Sequence, residues 1–151
     1  MIGLQTSEPA LTALAAWALV PMVLHFGLIV GLYVVLTWTR LIVVKRGQAT
    51  KADFARGDGD PRLSARIQRN LANQFEAPVF AWIALGLLIL TGQINTLDVA
   101  AAWLFLIGRV IHSAVQCTGD NVALRGQVFT LNFVAILWLM AHAAWVVVLS
   151  L

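Results

Sequence analysis

The chain has 151 residues, of which 60% are hydrophobic and only 11% charged. Soluble domains are usually about 45–50% apolar and about 25% charged, and seven acids with ten bases cannot cover a globular surface of this size. A soluble enzyme is excluded, and the composition marks an integral membrane protein of a single domain. One cysteine, Cys117, excludes a disulfide framework and any cysteine-based metal cluster. The net charge of +3 is read as loop charge that sets topology, not as a nucleic-acid surface.

Residues 1–10 carry Glu8 and lack the basic region of a secretory signal, so the first apolar stretch is read as a retained helix. From Pro9 to Thr39 there is no Asp, Glu, Lys or Arg, and about 20 apolar residues suffice to span a bilayer. Pro21 lies inside this run and should kink it. Within it, Gly27 and Gly31 form a G-x-x-x-G that permits close helix approach. Further charge-free runs follow at residues 77–97 and 126–151, and residues 99–119 are interrupted by Arg109 alone. The reading is an all-α, four-helix membrane bundle occupying 1–151, with helices at roughly 10–45, 69–91, 97–118 and 123–150.

The connections differ in charge. Residues 40–69 hold eight of the ten Lys and Arg residues and the breaker Gly57-Asp58-Gly59-Asp60-Pro61, which predicts a basic cytoplasmic loop at roughly 46–68. The link at residues 91–96 has no basic residue and is placed outside, with Thr96 as the expected cap of the third helix and Asp98 in its first turn. The third link, around Gly119-Asp120-Asn121, returns to the cytoplasm, so both chain ends are expected on the non-cytoplasmic side.

Ionisable groups at membrane depth are costly unless paired or hydrated, and each is a functional candidate. Arg69, Asn73 and Glu76 stand at i, i+4 and i+7 on one helix face. Arg109 falls near the middle of the third helix, about 16 Å of helical rise from either end, and is followed at i+3 and i+7 by His112 and Gln116. Asp120 lies beyond that stripe, and Arg125 opens the fourth helix. The simplest arrangement pairs Glu76 with Arg109 as a structural ion pair and groups Arg69, Asn73, His112, Gln116 and Arg125 around a polar cavity. His25 and His142 have no partner at i+3 or i+4 and are read as isolated. Three convergent metal ligands are not found, and the six tryptophans fit interface anchoring. Gly-x-Ser-x-Gly, P-loop and dinucleotide fingerprints are absent.

The segment Arg69-x-x-x-Asn73-x-x-Glu76-x-Pro78, the stretch Arg109-Val110-Ile111-His112-Ser113, and Arg125 together resemble the MAPEG family, the membrane-associated proteins of eicosanoid and glutathione metabolism. The wording Asn-Gln-Phe-Glu-Ala-Pro-Val-Phe resembles a bacterial branch, which implies a multi-pass protein of a bacterial inner membrane. The resemblance implies a homotrimer with glutathione as cofactor in a cytoplasm-facing cleft between subunits. It assigns glutathione binding to Arg40, Arg69, Asn73, Glu76, His112 and Gln116, and places Arg125 beside the sulfur as the catalytic group. Tyrosines of the eicosanoid synthases are replaced: Ala77 follows the glutamate, Gln116 occupies a position often tyrosine, and Phe129 stands one turn after Arg125. The functional expectation is a glutathione-dependent transferase or peroxidase acting on a lipophilic small-molecule substrate, an electrophile or lipid hydroperoxide. The alternative is a non-catalytic scaffold or accessory subunit binding lipids or other membrane proteins. A transporter or channel is disfavoured because helix four carries no polar stripe.

Overall fold

The computed structural model describes residues 11–56, 60–119 and 121–151. Asp120, Glu8 and the Gly57–Gly59 part of the loop breaker lie outside the described residues. Six helices are described: α1 (Ala13–Lys45), α2 (Lys51–Arg56), α3 (Arg62–Ala72), α4 (Pro78–Leu90), α5 (Thr96–Thr118) and α6 (Val122–Leu149). Three of them, in α1, α5 and α6, are long and apolar enough to cross a membrane.

The expected second span is divided. Pro78 brings no backbone N–H and its ring disfavours a helix running into it, so α3 ends at Ala72 and α4 restarts with Pro78 as its first residue, where the missing donor costs nothing. Residues 73–77 form a tight turn, with Gln74 N–H bonding Leu71 O at 3.1 Å and Phe75 N–H bonding Ala72 O at 2.9 Å. The expected single helix at 69–91 is thereby corrected to two, and α4, at 13 residues, is shorter than the spans. The expected loop at 46–68 is also partly helical, because α2 and the start of α3 fall inside it. Arg40 holds this region together: its Nη2 lies 2.6 Å from Asp60 Oδ2 and also donates to Gln68, while its guanidinium sits 4.9 Å from the Phe54 ring centre.

Local chemistry fixes the helix ends. Thr12 caps α1, with its hydroxyl accepting from Ala15 N–H at 3.2 Å. Gly92, at φ 68°, ends α4: its N–H reaches Ile89 O and the next N–H, Gln93, reaches back to Leu88 O, a left-handed stop that favours glycine. Asn95, not Thr96, caps α5. Its side chain accepts from Leu97 and Asp98 N–H, and Asp98 accepts from Asn95 N–H, a reciprocal pair that satisfies both sets of orphan donors.

Two clusters make the core. The larger joins α1, α4, α5 and α6 through small residues around Leu85, Leu88, Phe105, Ile136 and Leu139, and the smaller packs Ile29, Leu32 and Leu36 of α1 on Ile67 and Leu71 of α3. α5 packs on α6, on α1 and on α3, which makes it the central helix. At the α5–α6 crossing an added Cβ on Gly108 would sit 2.5 Å from Asn132 Cβ and 3.2 Å from its Cα, so glycine is required there for the helices to touch. A Gly108→Ala variant gains about 1 kcal/mol of helix propensity but must push α6 backbone away, and overpacking of this kind costs about 1–3 kcal/mol. Thermal melting in detergent should show Gly108→Ala destabilised, while Gly86→Ala, whose Cβ meets nothing within 4 Å, should melt no lower than the native chain.

Candidate functional site

A cleft of about 570 Å³ opens between the α3–α4 turn, α5 and the start of α6, lined by Arg69, Ala72, Asn73, Glu76, His112, Gln116, Arg125, Gly126 and Phe129. Six residues singled out in the sequence converge on it: Arg69, Asn73 and Glu76 from α3 and the turn, His112 and Gln116 from α5, and Arg125 from α6. Gln116 is their junction. Its Oε1 accepts from Asn73 Nδ2 at 3.1 Å and from His112 Nε2 at 2.8 Å, which makes Nε2 the protonated ring nitrogen. His112 Nδ1 is buried and has no protein partner. Phe129 closes one wall, with its ring 6.2 Å from His112 and stacked 5.6 Å from Phe133.

Two expected placements change. Arg40 does not line the cleft; its pairing with Asp60, Gln68 and Phe54 described above engages it in tying α1 to the helices of the basic segment. Glu76 and Arg109 are not in salt-bridge contact, although the carboxylate acts on the guanidinium at longer range. Arg109 is fully buried and spends its guanidinium elsewhere: Nε donates to Gln74 Oε1 at 3.0 Å and Nη2 to the backbone carbonyl of Asn73 at 3.1 Å, while Nη1 has no partner. The physical reason is which face of α3 is buried. Gln74 continues the buried face of Ile67, Asn70 and Leu71, while the exposed Glu76 stays with Arg69 and Asn73 on the cleft, so a neutral amide takes the place of the carboxylate.

Periodicity did not disclose a buried polar network behind the cleft. Gln74 is 1% exposed and touches three elements. Its Oε1 accepts from Arg109 and lies 2.9 Å from His25 Nε2; its Nε2 lies 3.0 Å from Asn70 Oδ1 and 3.2 Å from Ser113 Oγ. Trp82 Nε1 is a donor only and meets His25 Nδ1 at 3.1 Å, so Nδ1 is the acceptor and Nε2 carries the proton shared with Gln74. Asn70 in turn donates to Cys117 Sγ at 3.4 Å. The signal was the Asn70, Asn73, Gln74 spacing at i, i+3 and i+4, with His25 supplied from a helix distant in sequence. His142, also read as isolated, donates Nδ1 to the buried carboxylate of Asp98 at 3.0 Å, and Trp138 Nε1 donates to the same carboxylate at 3.0 Å. Among the described residues no group of three His, Cys, Asp or Glu side chains could hold a metal ion.

These contacts set distinct expectations for the two charged residues. Glu76→Gln should leave the melting temperature in detergent nearly unchanged, because no ion pair is lost. Arg109→Met leaves Asn73 O without its donor and should destabilise by about 1–3 kcal/mol. In a double-mutant cycle read by melting the losses should nearly add; a coupling of about 3–5 kcal/mol, as for a direct buried pair, would restore the ion pair.

The MAPEG family model matches residues 18–145 of the chain. No curated protein and no solved structure matches it.

Proposed function

The chain belongs to the MAPEG family and is a multi-pass membrane protein in contact with lipid, and from that premise we propose that its cleft binds glutathione for a transferase or peroxidase reaction with a lipophilic electrophile or lipid hydroperoxide. One observation carries this reading: six polar or charged side chains from three separate elements converge on one open cleft beside the apolar spans. The donor set fits the molecule. Glutathione has two carboxylates and an ammonium group; Arg69 and Arg125 are bidentate carboxylate binders, and Glu76 is an acceptor suited to the amine. The volume lies within the range of small-molecule sites, about 300–1,000 Å³.

When bound, glutathione supplies a thiol whose anion is nucleophilic toward carbon electrophiles and peroxide oxygen. Arg125 stabilises negative charge at the cleft edge. Gln116 fixes the His112 ring and the Asn73 amide in one hydrogen-bonded set, so these groups meet a ligand already oriented, which lowers the ordering cost of binding. No tyrosine lines the cleft; Phe129 supplies an apolar wall there, suited to a lipid-borne partner and not to hydrogen bonding. The same reading holds the protein as a homotrimeric four-helix bundle in a bacterial inner membrane with both ends on the non-cytoplasmic face. The openness of the cleft in a single chain supports closure by a neighbouring subunit, and the basic segment at 40–69 supports the orientation.

Two measurements test it. Glutathione at about 100 times its dissociation constant should stabilise the purified protein by about 2.7 kcal/mol, seen as a rise in melting temperature that Arg69→Ala and Glu76→Gln diminish. Conjugation of glutathione to a chloronitrobenzene-type electrophile should run above background and fall at least tenfold in Arg125→Ala; no shift and no rate above background would overturn the reading.

A further inference from the structure

Arg109 is a full cation buried within a membrane-capable helix whose two hydrogen-bond partners are neutral, the Gln74 side-chain oxygen and the Asn73 backbone oxygen, with none at Nη1 among the described residues. A carboxylate at position 74 would be the ordinary solution for a buried guanidinium, since buried charges are usually paired. Glutamine gives the same acceptor without the charge, and its Nε2 donates to two oxygens of Asn70. His25 does not compensate either, because its Nδ1 is occupied by the Trp82 N–H, and a second proton there would set two donors against each other. No carboxylate therefore touches Arg109, Glu76 acting on it only at longer range, and its Nη2 lies 3.1 Å from the backbone of Asn73, a residue whose side chain lines the cleft.

We infer that Gln74 is a positioning residue that holds Arg109 by a neutral acceptor so that the buried positive charge acts on the anion bound in the cleft. The inference rests on the reading of the cleft as a glutathione site and deepens it. The bound anion would feel three cations, Arg69, Arg125 and Arg109, against the single carboxylate of Glu76, with His112 the remaining titratable group at the cleft. Arg109 and Gln74 do not line the cleft; they act through the field and through the Asn73 backbone. Neutrality at position 74 then leaves the charge of Arg109 free to act on the ligand, where a carboxylate would neutralise it.

Gln74→Glu separates the two roles. It retains the oxygen that accepts from Arg109 and His25, and its ion pair with Arg109 offsets the Nε2 donations to Asn70 and Ser113 that it loses, so the protein should fold with a melting temperature near the native one. For a separation on the order of 10 Å and an effective dielectric near 20, its added charge should weaken glutathione binding on the order of tenfold. A readout free of glutathione keeps the failures distinct. In a Cys117→Ser background, Gly126→Cys places a thiol at the cleft wall, where an added Cβ meets nothing within 4 Å. The pH midpoint of its alkylation by iodoacetamide should rise by about one unit when Gln74→Glu is added, the same tenfold change. An unmoved midpoint overturns the inference whether or not the native protein binds glutathione, and absence of glutathione binding with a moved midpoint overturns only the reading of the ligand. Should Gln74→Glu not fold, Arg109→Gln, which deletes the charge itself, is read by the same alkylation profile with the same expected rise and the same overturning result.

Discussion

A guanidinium in a bilayer must spend its donors on protein atoms, and the way Arg109 does so organises this fold. From α5 it reaches the carbonyl of Asn73 and the amide of Gln74, two residues of a turn that no helix ladder would otherwise hold. Gln74 passes the restraint to His25 on α1 and, through Asn70, to Cys117 near the end of α5. One charged side chain thus locks a helix break, two spans and an amphipathic helix into one arrangement. Backbone carbonyls freed by a break are costly in lipid, so the turn and the buried cation satisfy each other.

α5 carries a different device at each level of the membrane. At its start the capping box of Asn95 and Asp98 is extended across to α6, where Trp138 and His142 both donate to the same carboxylate. At its middle Gly108 admits Asn132 of α6 to backbone contact. Toward its end His112 and Gln116 face the cleft. The first two fix the α5–α6 pair by charge and by shape, so the cleft residues on α5 and Arg125 on α6 have a rigid frame. Without helix-to-helix hydrophobic drive in lipid, close packing and interhelical hydrogen bonds must supply that rigidity.

The spans were legible because a long charge-free run is what the thickness of a bilayer demands of a helix, and the cleft was legible because Arg69, Asn73, Glu76, His112 and Gln116 keep helical spacing within two segments. What spacing alone could not carry was which face of α3 is buried. Ile67, Asn70, Leu71 and Gln74 face the core, so Gln74 and not Glu76 meets Arg109, while Glu76 stays with Arg69 and Asn73 on the cleft. The pairings of His25 with Gln74 and of His142 with Asp98 were hidden for another reason. They join residues some forty to fifty positions apart, and sequence spacing ranks only neighbours on one helix. Arg40 was carried to the cleft by resemblance alone, and the nearer carboxylate of Asp60 claims it in the single chain.

The turn at 73–77 also separates two environments. Asn73 and Glu76 line the polar cleft, whereas Gln74 and Phe75 border a groove of about 330 Å³ between α1 and α4, whose other walls are Phe26, Ile29, Val79, Trp82 and Ile83. Consecutive residues alternate sides because a one-turn segment cannot bury a single face as a helix does. Had α3 continued straight into α4, helical spacing would put Phe80 and Ile83 on the same stripe as Asn73 and Glu76, and the polar face would abut lipid with no change of direction. Instead the break ends the polar stripe where α4 begins, and every residue of α4 from Pro78 to Leu90 is apolar or glycine. The proline that shortens the helix thus ends the polar stripe of α3 beside the open cleft and keeps it off the apolar length of α4.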